Sequence, residues 1–121
     1  MKQLTLKDIL NVEDVKTKRV ELPKWGGFVI IQQMTAKARD AYELSLLKTD
    51  ESGKSQRDLE NIRAKIVAAC VLDPGGELMF KTPDHVKALG NKNSEVVDFL
   101  YSQCQEFNAI SNEDIEELAG N

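Results

Sequence analysis

Two spacings of apolar residues alternate along this chain. Val20-Glu21-Leu22 steps apolar, polar, apolar, and Phe28 to Ile31 is a run rich in β-branched residues. Both suit extended strands. Pro23 cannot donate to a central ladder, and Gly26 and Gly27 accept positive φ at little steric cost. The pattern predicts a β-hairpin, Thr17–Leu22 paired with Phe28–Gln33 through the Pro-Lys-Trp-Gly-Gly connection.

Elsewhere the spacing is three or four, the period of helices. Thr5 caps a short helix over Leu6–Leu10, with Asp8 three residues on as in a capping box. Thr35 caps a helix carrying Ala38, Ala41, Tyr42 and Leu44 on toward Leu46-Leu47, and this gives way to a polar, mobile loop over residues 49–55. Ser55, with Asp58 three residues later, is expected to cap the next helix, whose apolar positions are Leu59, Ile62, Ile66, Val67, Cys70 and Val71. That helix reads as the most amphipathic of the chain and as central to the core.

Asp73-Pro74-Gly75-Gly76-Glu77 breaks it, because Pro cannot continue the helical ladder. Leu78-Met79-Phe80 is then expected as a short third strand on a hairpin edge. Thr82 and Pro83 open a helix through Val86 and Leu89 that Gly90 closes as a left-handed C-cap. Ser94 starts a longer one with Val96, Val97, Leu100, Tyr101, Cys104 and Phe107 on one side, and Ser111 an acidic one over Glu113–Ala119. The expected fold is α+β and mainly helical: one domain, 1–121, with an N-terminal hairpin against four to five helices.

Composition narrows the functional classes. The chain has 121 residues, 41% of them hydrophobic, enough for a single modest core. No apolar run approaches the ~20 residues that span a bilayer. Lys7 and Asp8 interrupt the apolar stretch a signal peptide needs, so a cytoplasmic protein is expected. Residues 1–72 carry 13 Lys/Arg against 10 Asp/Glu, and residues 73–121 carry 3 against 10. The acidic second half disfavours nucleic acid as a partner. Either the two halves attract one another between copies, head to tail, or both are ordinary solvated faces.

Catalytic constellations are missing. The single His85 opens a helix with no nucleophile brought to it by spacing, and one His with two distant cysteines cannot make a zinc site. Cys70 and Cys104 read as buried small hydrophobes. A calcium loop counted from Asp73 would need Gly at its sixth position and Glu at its twelfth, where Leu78 and Asp84 stand. No catalytic residue, cofactor or metal is expected.

Several landmarks occur together in order: Leu22-Pro23-Lys24-Trp25-Gly26-Gly27 with the strand after it; Met34 to Glu43; Ile66 to Asp73 with Gly75 to Phe80; Val86 to Gly90; and Phe107-Asn108-Ala109-Ile110-Ser111. From Val20 onward this series resembles the small tail assembly chaperones of long-tailed bacteriophages and prophages. The resemblance implies a non-enzymatic protein of the host bacterial cytoplasm that binds the tape-measure protein, keeps it soluble while the tail tube assembles, and is absent from the mature virion. It also implies self-association, with the tail tube protein as a further partner. A structural tail or head-to-tail connector component and a small host-directed regulatory protein are the rival readings.

Such work calls for a modest apolar patch that takes amphipathic helices. Trp25, Phe28, Met34 and Met79 are the candidate partner-binding residues. Trp25 either covers the hairpin's core face or stands half exposed as an anchor, and each Met is either core filler or part of the patch.

Overall fold

The computed structural model describes residues 1–109. Among these, five α-helices and five strands form an α+β fold with two small sheets. The expected acidic helix Glu113–Ala119 lies outside the described residues.

Helix α1 (Leu6–Asn11) opens on the predicted capping box: Thr5 Oγ1 accepts the Asp8 N–H at 3.3 Å, and Asp8 Oδ2 accepts the Thr5 N–H at 3.0 Å. Those hydrogen bonds hold the Asp8 carboxyl below its ordinary pKa. No residue of α1 is buried.

Strands β1 (Thr17–Leu22) and β2 (Gly27–Gln32) form the predicted hairpin, in register from Thr17 opposite Gln32 to Leu22 opposite Gly27. Alternation sends Val20, Leu22 and Ile31 into the core and Arg19, Glu21 and Phe28 to the other face.

Thr35 caps helix α2 (Ala36–Ser45), accepting the Ala38 N–H at 3.0 Å. The helix stops earlier than expected. Leu46 is its buried C-cap, and Leu47 begins strand β3 (Leu47–Thr49), which pairs with β4 (Ser55–Arg57). Ser55 is therefore not a helix cap. Asp50 decides this: its Oδ1 accepts the backbone N–H groups of Ser52 and Lys54, each at 2.9 Å, and its Oδ2 accepts Gln56 Nε2 at 3.0 Å. The turn so formed lays residues 55–57 antiparallel to β3, where the end of a polar loop and the start of a helix were expected.

Helix α3 (Ile62–Cys70) starts instead at Asn61, whose left-handed φ of 57° asparagine tolerates better than most residues. Leu59, expected on its apolar face, is exposed. Ala64, Ile66, Val67, Ala68, Ala69 and Cys70 are all buried, so α3 is a core helix wrapped on most sides rather than an amphipathic one. Its central place was legible; its burial on most sides was not. Lys65 ties its start down by donating to the carbonyls of Ser45 at 2.8 Å and Asp58 at 3.0 Å.

The third strand of the main sheet is β5 (Val71–Leu72), which pairs with β2 through Ile30 and Ile31 and gives the order β1-β2-β5. The expected third strand at Leu78–Phe80 only bridges to β5, through Leu72 and Leu78, and never reaches the hairpin edge. Between them Asp73 accepts N–H groups from Gly75 and Glu77, which folds the Pro-Gly-Gly segment into a tight turn.

Helix α4 (Pro83–Gly90) is capped by Thr82 as predicted. Gly90 is not a left-handed C-cap; it is the last helical residue, and Asn91 caps. What Gly90 supplies is room, since a Cβ there would collide with the Asn61 side chain. Helix α5 (Ser94–Phe107) is capped by Asn93, one residue before the Ser94 start, and buries Val96, Val97, Leu100 and Cys104. It packs on α3 and on the core face of the hairpin.

Candidate functional site

The hairpin connection is a 3-10 turn, Pro23–Trp25, in which Pro23 takes an opening position suited to its fixed φ. Gly26 closes it at φ 78°, its N–H donating to the Pro23 carbonyl at 3.1 Å. This geometry carries Trp25 off the end of the sheet, 42% exposed. Lys24 Nζ pairs with Glu95 Oε2 at 2.5 Å and holds the turn beside the start of α5.

Facing Trp25 is α4. His85, Ala88 and Leu89 follow the i, i+3, i+4 spacing that gathers side chains on one helix face, and Lys92 follows just past the helix end. Met79 and Phe80 lead into this helix and are placed when the Met79 N–H donates to the Val71 carbonyl at 3.0 Å. Together these residues and Trp25 line an open cleft of about 530 Å³. Its walls are mainly apolar, Leu89 is buried at its base, and His85 and Lys92 are its polar members.

With five of its seven lining residues apolar, the arrangement suits the burial of apolar side chains. The two cysteines lie away from it, both fully buried, on α3 and α5. A hydrogen bond with Cys70, together with burial, pushes the Cys104 thiol up and away from the reactive thiolate.

Of the four residues singled out from sequence, the structure brings Trp25 and Met79 to this one cleft. Phe28 lies outside it, on the sheet's outer face, with the Arg19 guanidinium 3.7 Å from its ring centroid. Met34 lines a separate cleft of about 520 Å³ with Asp14, Val15, Thr35 and Asn108. Phe80, Ala88, Leu89 and Lys92 were not singled out. The helical spacing after Pro83 contained the signal for two of them, Ala88 and Leu89, but nothing local shows which element faces that side.

No described helix is long and apolar enough to cross a membrane. Compared with known protein families, curated proteins and solved structures, the chain matches none.

Proposed function

We propose that this chain is a non-enzymatic binding protein, a tail assembly chaperone that engages amphipathic helices of a tape-measure protein and keeps it soluble while tail tube subunits assemble. The open apolar cleft between the hairpin turn and α4 carries this reading. A seven-residue apolar and basic lining of this size accepts the stripe of a helix, and its openness suits reversible capture. Trp25 supplies a rigid half-exposed anchor, and Met79 an adaptable wall. Client helices bury their apolar stripe in the cleft, their polar face stays in water, and the chaperone is displaced as tube subunits take its place. In this reading it acts in the host bacterial cytoplasm, associates with its own copies and leaves before the virion matures.

Co-expression with a long helical tape-measure protein tests the reading. The client is expected in the soluble fraction with this chain and in the pellet without it. Stoichiometric amounts of the chain in purified virions would instead assign it to the particle's structure, as a tail or connector component.

A further inference from the structure

We infer that the acidic segment 110–121 of this chain binds in the Trp25 cleft of the same molecule, with its apolar stripe on the cleft walls and its carboxylates toward the lysines beside them. The segment carries Glu113, Asp114, Glu116 and Glu117 and no Lys or Arg. As the helix expected over Glu113–Ala119, it sets Ile115, Leu118 and Ala119 at i, i+3 and i+4, and Asp114 and Glu116 flank that stripe on its two sides.

The cleft is its complement in both respects. Trp25, Met79, Phe80, Ala88 and Leu89 are apolar and line about 530 Å³. Residues 73–121 hold three Lys/Arg in all, Lys81, Lys87 and Lys92, gathered on and beside α4 with Asp84 as the one carboxylate between them. Lys92 lines the cleft, and Lys81 directly follows the lining residue Phe80. Lys81 is engaged with Glu77 at 2.8 Å, whereas Lys87 and Lys92 have no ion-pair partner among the described residues. Unpaired cations around an apolar cleft select an occupant that is apolar on one stripe and acidic beside it.

The chain is long enough to return there. The Lys24–Glu95 ion pair places the start of α5 beside the Trp25 turn. The 14 residues of α5 then carry the chain about 21 Å away, to Phe107. Residues 109–112 span about 13 Å when extended, and a helix over 113–119 adds about 10 Å. That brings the turn bearing Leu118 back to the cleft. The cleft at the near end of α5 is a poorer host, because Gln33, Thr35 and Asn108 make it polar and its one charged lining residue is the carboxylate of Asp14.

If the cleft is the client site, the segment is the competitor that a client displaces. That consequence alone rests on the proposed function. The contact itself is tested with no client present.

Emission and acrylamide quenching of Trp25, the only tryptophan, report it in the full chain. Wild type is compared with Leu118→Asp, and circular dichroism confirms that the variant keeps the fold. Leu118→Asp is expected to shift the emission to the red and to raise quenching about twofold. A synthetic peptide of residues 110–121, added to this variant, is expected to restore the wild-type signal. Adding Lys92→Glu to the same variant should weaken the peptide about tenfold. Identical Trp25 signals in wild type and Leu118→Asp, or a peptide without effect, would overturn the inference. Protection of Trp25 that grows with protein concentration would also overturn it, since the segment would then be reaching another molecule. With a tape-measure protein co-expressed, Leu118→Asp is expected to hold more of it soluble than wild type. If neither chain holds it soluble while the Trp25 results stand, the client reading falls and the contact within the chain remains.

Discussion

Asn108 ties the end of α5 to the end of β2: its Oδ1 accepts the Met34 backbone N–H at 2.7 Å across 74 residues of chain. Its amide also donates to the Cys104 carbonyl at 2.9 Å and approaches Cys70 Sγ at 3.4 Å. One side chain thus joins sheet, core helix and the longest described helix. Asn108→Ala strands the part-buried Met34 N–H, and a loss of about 1–3 kcal/mol is expected from such an orphaned donor. Urea unfolding measures it. A loss within experimental error would mean that water replaces the contact.

Trp25→Ala is expected to weaken client binding about tenfold or more, as loss of an aromatic anchor does. With the ring 42% exposed, the stability loss should be about 1–2 kcal/mol, below the ~3–5 kcal/mol of a fully buried Trp. Phe28→Ala is the control, since Phe28 lies outside the cleft lining and should leave binding unchanged. Equal binding losses for the two variants would move the site onto the outer face of the sheet.

Tyr42 makes stability depend on alkaline pH. Burial pushes its hydroxyl up from the ordinary 10.0 to about 12. Between those values the unfolded chain ionises first and holds fewer protons than the folded one, so stability falls as pH rises through this window. Below it, both states are neutral and the residue adds no slope. The Tyr42 hydroxyl has no hydrogen-bond partner among the described residues. Tyr42→Phe should therefore flatten the alkaline loss and leave neutral-pH stability unchanged or higher by up to about 1 kcal/mol. Tyr101 is also shifted up by burial, so the comparison is between wild type and variant unfolding curves.

Cys70 and Cys104 are both fully buried, and the Cys104 proton is held by its neighbour. Alkylation of the native protein is expected only as fast as the core opens, with both thiols reacting together on unfolding. Rapid labelling of one thiol in the native state would show a local opening between α3 and α5.

Much of this fold is readable from short stretches. Thr5, Thr35 and Thr82 each cap the helix that their neighbours predict, because a cap is satisfied within three residues of itself. The hairpin follows from Pro23, Gly26 and two extended runs for the same reason. Ser55 shows where local reading fails. Its capping signal is genuine, but Asp50 organises a turn that pairs residues 55–57 with β3, and the pairing outweighs a cap. Gly90 fails differently: a glycine after a helical run suggests a left-handed close, whereas its reason for being small is the Asn61 side chain, distant in sequence.

Sequence alone therefore determined the hairpin, three helix starts and the central place of Ile66 to Cys70. Tertiary structure alone decided that Trp25 looks across at α4, that Met79 joins it while Phe28 and Met34 do not, and that α1 is left uncovered. Caps and turns are set by hydrogen bonds and dihedral preferences over a few residues. A cleft is the space left between elements some 60 residues apart, and its walls are fixed only when the whole core has chosen which faces to bury.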